Sequence, residues 1–407
     1  MSSGRRLSAG AIAVASSSAC FVFGACSSPR DGGSATSVRA GSPSSGGFPA
    51  ADAGRAGSGG ERTNPPANDA GHTSGGTDAP GQPTHQGGTS RGGSDTALPG
   101  AAGAPDTNAA SAPRTLFYLD VQGKVLSFDE DKPTPRTLVR SAGQGPDGIA
   151  IDVSDGYMFW TTMGVPADDD GSLMRASLDG SGVSTIVPTG DTYTPKQLKL
   201  DAAAGELYWS DREGMRIQRA RVDGSGLQTL VTVASGSAAR KDAANWCVGL
   251  ALDLTHGFVY WTQKGPDNGG RGSIRRAHLE LPSGETDANR TDIEVLFAGL
   301  PEPVDLDLDV SNSYMYWTDR GDDTINRAPI EIPSGASPAT RKDREIIVHG
   351  VREAIGVTLD LERGHVYYTG AVNGRVGRAN LDGSSAVDLV TGSGALTGIS
   401  VVPGLGP

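Results

Sequence analysis

The sequence predicts an all-β fold, a six-bladed β-propeller, and three observations predict it. A five-residue pattern, fullest in Met315-Tyr316-Trp317-Thr318-Asp319, returns as Met158-Phe159-Trp160-Thr161-Thr162, Leu207-Tyr208-Trp209-Ser210-Asp211, Val259-Tyr260-Trp261-Thr262-Gln263, Val366-Tyr367-Tyr368-Thr369-Gly370 and, more divergently, Leu116-Phe117-Tyr118-Leu119-Asp120. The segments between copies read as short strands and turns, without helical periodicity. The two ends of the patterned region are complementary halves of one unit.

Aligned on the second aromatic, the copies fall at Tyr118, Trp160, Trp209, Trp261, Trp317 and Tyr368, at intervals of 42, 49, 52, 56 and 51 residues. That period is the length of one four-stranded propeller blade. Each unit opens on an apolar strand ending in Asp, such as Gly148-Ile149-Ala150-Ile151-Asp152 or Gly249-Leu250-Ala251-Leu252-Asp253. Blades converge on an axis, so this innermost strand has least room, and Gly148, Ala150, Gly249, Ala251 and Gly356 suit it. Its terminal Asp (Asp152, Asp201, Asp253, Asp307, Asp360) reads as an acceptor for backbone N–H groups of the turn. The aromatic strand follows, placed where the wedge between blades widens. After a variable loop comes a third strand such as Ser172-Leu173-Met174-Arg175-Ala176. A tight turn of the Asp179-Gly180 type and a last apolar run close the unit. The carboxy-terminal Gly398-Ile399-Ser400-Val401 is an innermost strand without an aromatic strand after it, and Leu116-Phe117-Tyr118 is an aromatic strand without an innermost strand before it. Pairing them closes the ring in one split blade.

These units resemble the YWTD repeats of the low-density lipoprotein receptor class B family, whose members form six-bladed β-propellers. The resemblance covers about residues 114–407. It extends to the Arg-Ala pairs of the third strand (Arg175-Ala176, Arg219-Ala220, Arg276-Ala277, Arg327-Ala328, Arg378-Ala379) and to the Leu-Asp-Gly-Ser turns. It implies that the repeat residues are structural. The Asp of the tetrapeptide is kept only at Asp120, Asp211 and Asp319. Units three and four replace the Asp-Gly turn by Leu281-Pro282-Ser283-Gly284 and Ile332-Pro333-Ser334-Gly335, with longer insertions. The cysteine-rich modules that flank receptor propellers are absent from the sequence, so receptor roles are not implied.

The region before the repeats differs in kind. Residues 1–26 read as an export leader, with Arg5 and Arg6 ahead of a weakly apolar run. The run ends in Phe23-Gly24-Ala25-Cys26, which resembles a bacterial lipoprotein cleavage box and marks Cys26, rather than Cys20, for lipidation; an ordinary secretory signal is the alternative. Residues 27–113 are rich in Gly, Ser, Ala, Pro and Thr with one aromatic, Phe48, a composition that cannot offset its ordering entropy. This tether would reach about 50 Å as a flexible coil. With the other cysteines spent, Cys247 remains, and no disulfide is expected within the propeller. Residues 1–113 carry 7 basic and 7 acidic side chains, leaving 28 basic against 40 acidic in the remainder, so the net charge of −12 belongs to the repeats. An acidic propeller excludes nucleic acid and anionic lipid as main partners. The expectation is a monomer on the bacterial cell envelope, touching membrane only through its anchor, or a secreted protein if the leader is an ordinary one.

Candidate chemistry is sparse. No Gly-x-Ser-x-Gly elbow occurs, and His256 and His365 fall in inner turns. Asn245, Glu302 and Glu353 precede innermost strands and could approach the axis, as in a metal-dependent lactonase or esterase. Asp168-Asp169-Asp170-Gly171 reads as a solvated acidic loop, with calcium as the alternative; Asp322-Asp323 reads likewise. No other cofactor is expected. Entries to the innermost strands and the loops after the aromatic strands share one propeller face. That face would hold Asp147, Lys196, Trp246, Glu302, Arg352 and Glu353, joined by Arg212, Lys264, Arg320 and Asn373. Four of the five tryptophans occupy the repeat slot, so Trp246 stands out, either as a binding hot spot or as packing under the inserted loop before it. The function expected is non-catalytic binding of a protein, peptide or glycan through this face. The metal-dependent hydrolase and a purely structural envelope protein are the alternatives.

Overall fold

The computed structural model describes residues 113–166 and 168–405; the leader, Cys26 and nearly all of the tether lie outside the described residues. Six four-stranded antiparallel sheets form, each in one up-and-down order from the axis outward. Blades 1 to 5 span residues 146–187, 195–232, 247–300, 303–349 and 354–390. Blade 6 is split: the carboxy-terminal strand Leu396–Pro403 is its innermost member, pairing with the first strand, Arg114–Asp120, through Tyr118 opposite Ile399. Ring closure therefore stitches the two ends of the region together, as the sequence predicts.

The repeat pattern explains why the ring forms. Each innermost strand packs on the next around the axis. The approach is so close that a Cβ on Gly249 would overlap the carbonyl of Val304 in the following blade. Farther out, one apolar cluster fills each of the six seams between blades. The aromatic pair faces both ways: Tyr260 packs in the seam of blades 3 and 4, and Trp261 in that of blades 2 and 3. Trp160, Trp209, Trp261 and Trp317 are all fully buried.

The Thr of the repeat bridges neighbouring blades. Thr262 Oγ1 accepts from Gly249 N–H in its own innermost strand and donates to Val304 O in the next, both at 2.7 Å. Thr161 links Gly148 to Lys196 in the same manner, Thr318 links Asp305 to Ile355, and Thr369 links Gly356 to Thr397. Ser210 does this for blade 2 by donating to Val248 O. Blade 6 carries Leu119 in this slot, and there Thr397 donates to Pro146 O instead.

The outer rim is latched in several ways. The Asp-Gly turns of blades 1, 2 and 5 press against the outer strand of the preceding blade at Leu138, Ile186 and Ile347, where a Cβ on the glycine would overlap a carbonyl. In blades 3 and 4, whose insertions replace that turn, a buried arginine takes over. Arg290 donates to Leu230 O of blade 2, and Arg341 to Leu296 O of blade 3, each also clamped by an acid two residues on, Asp292 or Asp343. Blade 6 uses buried Glu130, which accepts from Arg378, Tyr367 and Arg363 of blade 5.

The structure corrects one sequence assignment. In blade 4 the turn-stabilising acid is Asp309, which accepts from Ser311 and Asn312, not Asp307. The innermost strand there runs Pro303–Asp309 and so ends two residues after Asp307. Elsewhere Asp152, Asp201, Asp253 and Asp360 accept turn N–H groups as expected.

Candidate functional site

The innermost strands begin, and the aromatic strands end, at one mouth of the central channel. The Asp of the repeat organises that end. Asp319 Oδ1 accepts from Glu302 N–H and Gly321 N–H, and Asp211 accepts from Tyr193 and Thr194 N–H. Each carboxylate fixes the segment that leads into its innermost strand.

The mouth surrounds a recess of about 20 Å³, lined by Lys196, Arg212, Lys264, Glu302 and Arg320 over an apolar floor of Val248, Val304 and Ile355. That is room for about one water. Glu302 sits between two cations, in contact with Lys264 and 2.6 Å from Arg320. Asp267 ties the same pair together at 2.8 and 2.9 Å, and Glu353 reaches Arg320 at 3.3 Å. Burial opposes the charge on Arg320, yet Glu302, Glu353 and Asp267 outweigh it and hold its pKa above the ordinary value. Burial also raises Glu353, against the pull of Arg320. On the opposite side Lys196 donates to Asp147 at 2.9 Å, and both are almost wholly buried. Desolvation lowers the Lys196 pKa although Asp147 supports its charge.

Trp246 closes the ring. It is half-buried, with Arg212 4.9 Å and Lys264 5.9 Å from its ring centre. Its indole N–H donates to Arg240 O at the end of the short helix Gly236–Arg240, so the inserted loop before blade 3 fixes the ring from behind. Of the two expectations for Trp246, this contact is the packing against the inserted loop. Arg240 in turn lies 4.0 Å over Tyr193 and donates to Glu213 O.

Of the ten residues singled out from sequence, Lys196, Arg212, Trp246, Lys264, Glu302, Arg320 and Glu353 meet around this recess. Asp147 lies beneath it as the counterion of Lys196. Arg352 and Asn373 are exposed at the same end of blade 5 without joining the network. Asp267, Glu213, Arg240 and Tyr193 belong to the cluster but escaped the sequence reading, because they sit in connections between strands, Arg240 at the end of the inserted helix. Of the residues named for a hydrolase, Asn245 donates to Ala239 O, while Glu302 and Glu353 pair with Arg320 at the recess. Among the described residues no group of three or more His, Cys, Asp or Glu is placed to hold a metal. In the acidic loop, Asp170 accepts from Val165 N–H. Asp322 pairs with Arg344, and Asp323 accepts from Glu353 N–H.

Deeper along the axis, Lys199 of blade 2 lies 3.6 Å from Asp307 of blade 4. Asp305 and Asp307 accept from Val357 and Leu359 N–H in blade 5. Burial pushes the Asp305 carboxyl up to about 7.

These features define a β-propeller of the YWTD type, with a charged recess at one end of its axis. No family model matches the chain. It is 38% identical over 292 residues to low-density lipoprotein receptor-related protein 1 of Pyricularia oryzae, covering 69% of this chain and 92% of that protein. The chain belongs to this low-density lipoprotein receptor-related family. It is also 37% identical over 310 residues to the 3-hydroxyacyl-CoA dehydrogenase-like protein LAM1 of Cochliobolus heterostrophus; that match covers 70% of this chain but only 64% of the relative. Among solved structures, a nidogen/laminin complex matches with a TM-score of 0.55 at 22% identity, over 71% of this chain and 98% of that one. TolB of Acinetobacter baumannii matches at 0.50 and 11%, over 72% and 67%. At those identities the two structures speak for the fold alone. Among the described residues no helix is long and apolar enough to cross a membrane.

Proposed function

We propose that the chain is an exported propeller, held at a bacterial envelope by lipid on Cys26, that binds a protein, peptide or glycan at the channel mouth without catalysis. The observation that carries the binding role is the set of charged side chains locked around Trp246. Lys264, Arg320, Glu302 and Asp267 hold one another in place, so a ligand meets groups whose rotamers are already ordered, which lowers the entropic cost of binding. A Trp flanked by Arg, partly buried at the rim of a recess, has the composition of an interface anchor. The binding face comprises Lys196, Arg212, Trp246, Lys264, Glu302, Arg320, Arg352, Glu353 and Asn373, with Asp147 buried beneath it as the counterion of Lys196. The nidogen/laminin structure is a complex between proteins, which is the kind of partnership proposed here.

For the anchor, support comes from the Phe23-Gly24-Ala25-Cys26 box and from the tether of residues 27–113 between it and the propeller at 114–407. Fatty-acid labelling in a bacterial host should be lost in Cys26→Ser and kept in Cys20→Ser; the reverse pattern contradicts the assignment. For binding, the full chain is used as bait against an envelope extract beside Trp246→Ala and Arg320→Ala baits. A partner retained by the parent and lost from both variants, with all three folded, is the expected result. An identical retained set on all three contradicts the proposal.

A further inference from the structure

The third-strand arginine of the repeat has a use that becomes clear only when all six blades are compared. It stands opposite the first aromatic: Arg175 faces Phe159, Arg219 faces Tyr208, Arg276 faces Tyr260, Arg327 faces Tyr316 and Arg378 faces Tyr367. Four of these cross the seam into the next blade. Arg219 donates to Glu280 at 2.9 Å, Arg276 to Glu331 at 2.8 Å, Arg327 to Leu381 O at 3.0 Å and Arg378 to Glu130 at 2.5 Å. Arg175 lies instead over Tyr157 of its own blade.

Blade 6 breaks the series. Ser127 occupies the slot, opposite Phe117. The receiving side is intact: Asp179 of blade 1 follows Ser177-Leu178 in the register position that Glu280 and Glu331 hold after His278-Leu279 and Pro329-Ile330. Where the arginine would lie, the structure has a groove of about 780 Å³, lined by Phe117, Leu138, Leu178, Ser127, Asp131 and Asp179 among others. Its size is that of a ligand site. The Ser127 hydroxyl is buried and has no hydrogen-bond partner, which is costly for a polar group unless something completes it. Asp179 is held below the usual carboxylate range by hydrogen bonds from Ser181, so it is ionised at neutral pH. Of the basic residues that line the groove, Arg136 is paired with Asp129, which leaves Lys132 as one positive charge against the two negative charges of Asp131 and Asp179.

We propose that the seam between blades 6 and 1 is a docking groove for an arginine side chain of a partner polypeptide, which fills the slot that Ser127 leaves open. The aliphatic stem packs on Leu138, Leu178 and the Phe117 ring, as an arginine stem covers apolar surface elsewhere. The guanidinium pairs with Asp179 in the place of the missing cross-blade bond, with a geometry that lysine does not reproduce. This site shares no residue with the channel mouth and stands whether or not the mouth binds a ligand.

The test uses the full chain and three fluorescent peptides, identical except for arginine, lysine or citrulline between two leucines, followed by anisotropy. The arginine peptide is expected to bind saturably. Citrulline, which keeps the shape and loses the charge, should weaken binding by about tenfold or more, with lysine between them. Ser127→Arg supplies the side chain internally and should abolish binding while raising the unfolding midpoint. Asp179→Asn, an exposed change with little bearing on folding, should weaken the arginine peptide and leave citrulline unaffected. Equal binding of arginine and citrulline peptides, undiminished binding to Asp179→Asn, or no saturable binding of the arginine peptide at millimolar concentration overturns the proposal.

Discussion

Replacing Thr262 by Val tests whether the repeat threonine is a bridge or merely a β-branched strand residue. Valine has nearly the same shape, so packing around Trp261 and Leu250 is retained. What disappears is a hydroxyl that accepts from Gly249 N–H and donates to Val304 O, both at 2.7 Å and both buried. Both backbone groups are buried, and each orphaned group costs about 1–3 kcal/mol. With two groups orphaned, the expected loss is therefore about 2–6 kcal/mol. Thr262→Ser is the control. It keeps the hydroxyl, as Ser210 does naturally in blade 2, and removes one methyl, worth about 1 kcal/mol. Urea unfolding followed by tryptophan fluorescence measures both, with the slope of the transition checked for constancy. A Val variant no less stable than the Ser variant would refute the bridging role.

Three further outcomes are expected. Arg341→Ala removes the latch between blades 3 and 4, including its bonds to Leu296 O and Asp343 and its stacking on Phe297; it should cost about 2–4 kcal/mol in urea unfolding, and Arg341→Lys should recover less than half. Asp319 is buried, its Oδ2 has no partner, and desolvation followed by repulsion from Asp322 pushes its carboxyl up to about 7. Its folded pKa thus exceeds the unfolded value, so the folded state binds the extra proton, and this group's contribution is lost as pH rises from about 4 to about 7. Asp319→Asn keeps the acceptor for Glu302 N–H without the charge, so its unfolding midpoint relative to the parent should be more favourable at pH 8 than at pH 5; equal differences at the two pH values would contradict the assignment. Thr397→Val should destabilise the split blade as Thr262→Val does blade 3, since Thr397 serves the slot that Leu119 cannot; a neutral effect in urea unfolding would contradict that compensation.

Much of the ring was legible because its constraints are periodic. The aromatic pair must bury both faces, the innermost strand must be thin and the strand ends must turn, and each demand repeats six times. The blade 4 register was misassigned at Asp307 because its innermost strand carries three alternating acids, Asp305, Asp307 and Asp309, which offer the same local pattern at three positions. The Pro-Ser-Gly insertions looked like departures from the repeat. In the structure Arg290 and Arg341, each eight residues after its proline, latch the seams that Asp-Gly turns close elsewhere. No single blade shows that equivalence. Strand direction was enough to gather Lys196, Lys264, Glu302 and Arg320 at one end, because a residue before an innermost strand and one after an aromatic strand must be neighbours. It could not place Asp267 or Arg240, whose positions depend on loop conformation, nor show that Asp147 is covered by Lys196.

The central claim is that repeat positions build the ring while the strand ends bind, and Trp317 and Trp246 separate the two. Trp317→Ala and Trp246→Ala are compared for urea unfolding and for affinity toward the partner captured by the parent chain. Trp317→Ala should lose about 3–5 kcal/mol as a large core truncation while its folded fraction binds with parental affinity. Trp246→Ala should unfold near the parental midpoint and lose the partner. A folded Trp317→Ala that cannot bind, or a Trp246→Ala that binds unchanged, would contradict the claim.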